Sequence, residues 1–426
     1  MLLQDLNHDV IVHICSFLGF KDRISFALTC RKVKDAAYEK TLWKHTVVYL
    51  SLPTTSSGWP RLYSSLEERG ISLLVFRVQH YAAFDTHLPL MAKHWPRLSV
   101  IWDDSAPGTP GEPGNSTFVQ QLTVQLASVK TLKLSSIGFR LIQLISNVMP
   151  LLEHLDVSQS HFDDKCSRYL IDLLPKLRSL NLSNTHITDR GVGLFCGYTL
   201  RMIFFHWLPT LPLLSKLEVL DLSQCRSTTR FHWFFLQRLP NLNTIVTCEG
   251  HLSEKPDFAS IAKIRSLRCL VVKGHKQPGR FLRGLSLSEC RLQCLYFGLC
   301  DFIDIEMLYF IHGFKDLIYL KIQSVKLTDD GIEFISKFLP QLLVLDITGC
   351  VRITKYALVH IRSNLRNLKF LRVLRIPKLK RSHLAWLPSE CCVHSNFGYS
   401  RNKIDLDMIS NHPRKSIWLR KVFNDF

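Results

Sequence analysis

Three cysteines and a histidine, Cys290, Cys294, Cys300 and His312, are the nearest approach in this sequence to a metal-ligand set. Structural zinc is held by thiolates and imidazoles at short regular spacings, often as C-x-x-C pairs. Here the gaps are irregular and no C-x-x-C occurs. The three thiols therefore read as reduced and partly buried, and no metal is expected. A cysteine nucleophile needs an activating base or positive surroundings, and no such pair is singled out. The 18 histidines are scattered without ligand spacing. No P-loop, GxGxxG, HExxH or GxSxG pattern is present. The chain is expected not to be an enzyme and to carry no cofactor.

The elements that would position such residues are set by length and composition. The chain has 426 residues, 46% hydrophobic and 21% charged, enough for a sizeable core and incompatible with global disorder. At roughly 150 residues per domain, two to three domains are expected. No apolar run reaches the roughly 18 residues of a membrane helix. The stretch "DVIVHICSFLGF", residues 9–20, has neither the basic flank nor the cleavage site of a signal peptide. Thirteen scattered cysteines then suit a cytoplasmic or nuclear protein. The glycosylation-type patterns at Asn115 and Asn181 are discounted on the same ground. The formal net charge is +19, and it is uneven: residues 351–426 carry 16 Lys and Arg against 4 Asp and Glu, the first 350 carry 38 against 31.

Self-similarity dominates the rest. "LLEHLDVS", "KLRSLNLS", "KLEVLDLS", "DLIYLKIQ" and "QLLVLDIT" share the template L-x-x-L-x-L. Its first position falls at Leu152, Leu177, Leu217, Leu242, Leu267, Leu292, Leu317, Leu342 and Leu368, with weaker starts at Leu73, Leu98 and Val129. Most spacings are 25 residues, and one is 40, where "LRMIFF" at 200–205 offers a degenerate copy. Alternation at positions 4 to 6 makes a short strand. Segments such as "KLTDDGIEFISKFLP" place Thr or Asp ahead of an apolar helical period, so a helix returns the chain. No unit can bury its leucines alone, so neighbours must stack. This is the leucine-rich-repeat signature, and the "ITD-x-G" tail most resembles the cysteine-containing subtype. Cys269 and Cys294 share position 3 of adjacent units and should be neighbours. The Pro-Gly-rich 105–116 reads as an insertion loop. Residues 388–426 read as a cap over the open end.

The N-terminal apolar stretch needs a separate account. As a helix, Val10, Ile11, Val12, Ile14, Cys15, Phe17 and Leu18 fill an arc of roughly 220°, against roughly 100° for a surface helix. Such a helix must be covered on two sides. Residues 6–45 hold three short helical patterns with a turn at 19–22. Leu6, Val10, Ile14, Leu18, Leu28, Cys30, Leu42 and Trp43 stand in the pattern of an F-box, which the segment resembles. Asn7 stands where that family usually has proline, and Val33 where tryptophan is common. The resemblance implies that these eight residues meet a Skp-type adaptor, and through it a cullin scaffold. The helices alone would equally suit a three-helix cap on the repeats.

An F-box followed by leucine-rich repeats is similar to a family of SCF-type ubiquitin-ligase substrate receptors, over nearly the whole chain. The expected architecture is α/β: a three-helix F-box (1–50), a curved solenoid of about 12 units with strands inside and helices outside (51–387), and a cap (388–426). The resemblance implies a non-catalytic receptor that holds a protein substrate for ubiquitination and degradation, with no membrane and no nucleic acid as partner. On the inner face, position 5 of the units reads Arg77, Trp102, Lys133, Asp156, Asn181, Asp221, Val246, Val271, Tyr296, Lys321, Asp346, Arg372. Val246, Val271 and Tyr296 form an apolar patch suited to a partner, with Lys321 next to it. The other candidate is 361–381, eight basic residues and no acidic one. Its leucines fit two registers, from Leu368 or Leu371, so which arginines face inward is open. Arg366, Arg372, Arg375 and Lys380 there suit acidic or phosphorylated segments. The alternative is a repeat scaffold or nucleic-acid binder using this basic end.

Overall fold

The computed structural model describes residues 5–43, 46–52, 57–78, 82–103, 126–134, 145, 148–173, 176–197, 214–225, 231–248, 263–274, 278–287, 290–311, 313–388 and 390–399. The insertion at 105–116, the copy at 200–205, His312 and the end of the chain from 400 lie outside them. The chain divides into two compact units, 1–162 with 172–177, and 163–171 with 178–426.

The first unit opens with four helices: α1 (His8–Ser16), α2 (Phe20–Ala27), α3 (Arg31–Ala37) and a single turn, α4 (Lys40–Trp43). Asn7 is extended at the start of α1 and its carbonyl accepts from Ile11 N, so the place of the family's proline is filled by an ordinary helix entry. Ile11, Cys15, Ala27, Val33, Ala36 and Ala37 make the core, with Leu6, Val12, Phe26, Cys30, Tyr38 and Leu42 packed against it. The small residues of α3 let the helices approach closely, and Val33 sits at the centre of that contact. The expected three helices are thus present, followed by one extra turn that carries Trp43.

Strands β1 (Val47–Leu52), β2 (Leu73–Val78), β3 (Val100–Asp103), β4 (Thr131–Lys133) and β5 (His154–Asp156) follow in the same unit, each parallel to the one before. β1 precedes the first expected repeat. Leu74 pairs with Ile101, and Val75 with Trp102. Position 1 of that repeat is therefore Ile71, fully buried, and not Leu73; position 5 is Val75, and the exposed Arg77 leaves the column. Alternation decides the register: Leu74 and Phe76 both point inward.

In the second unit β6 (Ser179–Asn181), β7 (Val219–Asp221), β8 (Thr244–Cys248), β9 (Cys269–Lys273), β10 (Cys294–Gly298), β11 (Tyr319–Ile322), β12 (Val344–Asp346), β13 (Phe370–Val373) and β14 (Cys392–Ser395) run parallel in sequence order. β15 (Gly398–Tyr399) turns back antiparallel on β14. Leu180, Leu220, Ile245, Leu270, Leu295, Leu320, Leu345 and Leu371 form one buried row in register. Each contributes about 1.5–3 kcal/mol of burial. Ser179 pairs directly with Val219, so β6 and β7 are neighbours in the sheet across the 40-residue spacing. Asp346 pairs with Arg372, which settles the last register on Leu368.

Helices return the chain at 164–173, 189–195, 231–236, 278–286, 329–338 and 355–364, with a 3-10 helix at 304–311. The "ITD-x-G" signature has a physical role here. Thr328 caps the helix that follows it, its hydroxyl accepting from Asp330 N. The same threonine donates its own N–H to Asp304 Oδ1 at 2.8 Å and its hydroxyl to Asp304 Oδ2 at 2.7 Å. Asp304 is the first residue of the preceding helix. Thr354 repeats the arrangement on Asp329, and Thr188 on Asp164. Gly191 and Gly331 sit against these carboxylates so closely that an added Cβ would collide with Asp164 and Asp304.

Candidate functional site

The N-terminal helix is covered on one side only. Ile11 and Cys15 are fully buried, whereas Val10 is 45% and Phe17 76% exposed. Val10, Ile14 and Phe17 lie at i, i+4, i+7, one ridge of α1, with Ile14 and Leu18 half-buried beside it. Leu28, just past α2, is 81% exposed. Leu6, Cys30 and Leu42 turn inward against the core instead. Phe17 was not among the eight residues that the family pattern marked. Its signal was the width of the apolar arc.

Trp43 occupies a different place from the one expected of an adaptor contact. It is fully buried, its indole N–H donating to Ala37 O at 2.7 Å. The Arg23 guanidinium lies over its ring at 5.0 Å, and that of Arg69 lies at 5.8 Å. An indole whose N–H reaches a carbonyl can be buried whole, and here it seals the module against the end of α5 (Trp59–Glu68). Arg23 itself is buried and donates to the carbonyls of Cys15, Leu18 and Leu42 at 3.2, 3.1 and 2.7 Å. It satisfies carbonyls left over at the ends of α1 and α4, the role a cation serves at helix C-termini. A lone arginine in a short helix gave no such signal in the sequence.

The position-5 column exists in register, and from Asp156 to Arg372 it is buried. Val246 and Val271 are fully buried, so they present no apolar patch to a partner. Tyr296, Lys321 and Arg372 are also buried. Lys321 Nζ lies 3.5 Å from Asp346 Oδ2 and 4.5 Å from the centre of the Tyr296 ring. Burial pushes the Lys321 amine down to about 8; Arg372 adds to this and Asp346 opposes it. The acidic members have a local task. Asp156, Asn181, Asp221 and Asp346 each accept from the backbone N–H two residues on, at 2.8–3.0 Å. The strings "DVS", "NLS", "DLS" and "DIT" are Asx turns that end the strands. Of the basic candidates, Arg366, Arg375 and Lys380 are exposed.

The thiols disperse. Cys290 donates to Ile264 O, Cys300 to Gly298 O, and Cys294 faces Cys269 across paired strands. Burial raises Cys225 to about 11 and Cys350 to about 12, away from thiolate chemistry. Among the described residues no three His, Cys, Asp or Glu side chains are grouped as metal ligands.

Residues 3–48 match the family model described as F-box-like, and residues 174–196 match one described as Leucine Rich repeat. No curated protein matches the chain. Among solved structures, an internalin (inlF) from Listeria monocytogenes is similar at 15% identity, covering 84% of this chain and 89% of that one, with a TM-score of 0.46. A chain from the Rad7 and Elc1 complex of yeast is similar at 15% identity, covering 91% of this chain and 90% of that one, with a TM-score of 0.44. The chain thus carries an F-box-like segment at its N-terminus and, after it, leucine-rich repeats whose leucine rows lie in register on parallel strands.

Proposed function

We propose that this protein is the non-catalytic substrate-recognition subunit of an SCF-type ubiquitin ligase. The F-box-like module binds a Skp-type adaptor and through it a cullin, the repeats hold a protein substrate, and ubiquitin is transferred by other subunits. The receptor's contribution is proximity and orientation. The observation that carries the reading is the uncovered ridge of Val10, Ile14 and Phe17 with Leu28 beside it, apolar surface that a small module leaves outside only where something covers it. Free thiols at all thirteen cysteines agree with work in the cytoplasm or nucleus. Among the substrate candidates chosen from the sequence, the exposed Arg366, Arg375 and Lys380 are the ones a partner can reach.

The test is capture of a co-expressed Skp-type adaptor by the full chain. Phe17→Glu with Leu28→Glu should abolish capture and leave the melting temperature of the chain unchanged. Undiminished capture by this variant would favour the helices as a plain cap on the repeats.

A further inference from the structure

The turns that lead into the strands carry a charge pattern that changes along the chain. In the first unit their cations are neutralised: Arg97 Nε lies 3.1 Å from Glu67, and Lys130 Nζ 3.0 Å from Glu153. At the start of the second unit Arg178 Nε donates to Glu218 at 2.9 Å. From β9 onward one such pair remains among the described residues, Lys369 Nζ 3.9 Å from Glu390. The turns leading into β9, β10, β11 and β13 hold Lys263, Arg265, Arg268, Arg291, Lys315 and Arg366, and all but the half-buried Arg268 are exposed. The acidic residue among the described members of the same turns is Asp316. Lys263, Arg291, Lys315 and Arg366 form no ion pair among the described residues. Arg268 is held by the turn itself, donating to the carbonyls of Arg265 and Leu267 at 2.9 Å.

An apolar side chain stands in this cationic row. Leu287, in the turn that leads into β10, is 76% exposed. Among the described members of these turns no exposed aromatic ring is offered: Phe314 and Phe370 are buried. A single-stranded nucleic acid would need such rings to stack its bases. We infer that the row of turns leading into β9–β13 docks an acidic segment of a protein partner, its carboxylates meeting Lys263, Arg291, Lys315 and Arg366 and an apolar side chain covering Leu287. The inference rests on the repeats being the substrate-holding part, and it gives that substrate a chemical class. Arginine pairs with carboxylates bidentately. Single exposed pairs are weak, so recognition comes from several in a row. Four strand steps at ~4.8 Å span about 19 Å, which an extended segment of about six residues covers at ~3.3 Å each.

The probe is a fluorescein-labelled peptide of repeated Glu-Glu-Leu triplets, titrated by anisotropy against the full chain at low and moderate salt. A labelled DNA duplex is titrated in parallel. The peptide should bind, more weakly as salt rises. Lys263→Glu, Arg291→Glu, Lys315→Glu and Arg366→Glu combined should weaken it at least about tenfold. The corresponding Gln variant should fall between, which separates charge from misfolding, and Leu287→Ser should weaken the peptide several-fold without affecting the duplex. Equal peptide binding by wild type and the Glu variant would overturn the inference. Tighter binding of the duplex than of the peptide, lost in the same variant, would overturn it in favour of nucleic acid. Adaptor capture is measured on the same samples. Its loss in wild type would sink the ligase reading, whereas a peptide failure with capture intact sinks this surface alone.

Discussion

Two sets of aliphatic side chains in this molecule meet opposite fates. Val10 and Leu28 stand outside the N-terminal module, while Val246 and Val271 are shut inside a column of the repeats. Both sets look alike as residue types, and both were candidates for contact with a partner. Four short helices around a core of three alanines, an isoleucine, a valine and a cysteine run out of interior before they run out of apolar residues. Parallel strands at ~4.8 Å bring each position-5 side chain beside the next in register, and Val246 and Val271 are wholly buried there.

That contrast can be broken most severely inside the column. Val271→Asp places a charge where nothing solvates it and should cost about 4 kcal/mol or more, read as loss of the cooperative thermal transition. A melting temperature unchanged from wild type would mean that the column is open after all. Trp43→Ala comes next, at about 3–5 kcal/mol, because the ring is wholly buried. Its loss of adaptor capture should be recovered on cooling, as expected of a stability defect and not of a lost contact. On the open side, Phe17→Ser with Leu28→Ser should change stability by less than about 0.5 kcal/mol while removing capture, measured by denaturant melts beside pull-downs.

The smallest effect concerns Lys321. Its amine is lowered to about 8 in the folded chain from an ordinary 10.5. Between those pH values the unfolded chain holds more protons, so rising pH favours the folded state. Buried thiols such as Cys350, raised to about 12, act in the opposite sense above pH 9. The difference between wild type and Lys321→Met cancels the thiols. Wild type should gain stability relative to the variant, on the order of 1 kcal/mol, from pH 8 to 10.5. A flat difference would mean that the amine is not desolvated.

The repeat period was legible because leucines at positions 1, 4 and 6 recur every 25 residues with a single geometric solution, and each strand register follows from it. It failed at Leu73, where two adjacent leucines fit the template and only the inward pair Leu74 and Phe76 decides. Binding surface was less legible. Position 5 lies on the opposite face of the sheet from the leucine rows in any such ladder, but what covers it there is not set by the strand pattern. The Asx turns were in plain sight as D-x-S and D-x-T strings. Read along the chain, they are strand endings. Arg23 and Arg69 gave no signal, because a cation stacked on Trp43 is defined by residues far apart in sequence.

The threonine–aspartate relay gives the second unit a direction. Asp304 holds Thr328, Thr328 starts the helix whose first residue is Asp329, and Asp329 holds Thr354. Each helix start is therefore conditional on the one before it, never on the one after. Fraying from the C-terminal side leaves every remaining cap intact, whereas loosening near Asp304 withdraws support from Thr328 and then from Thr354 in turn. Over these two links the order is a queue rather than a pile: the tail can be shortened without effect on the head, but a disturbance at Asp304 is passed on as far as the helix at 355–364. Hydrogen exchange in Asp304→Ala should accordingly spread toward 355–364 and spare β9.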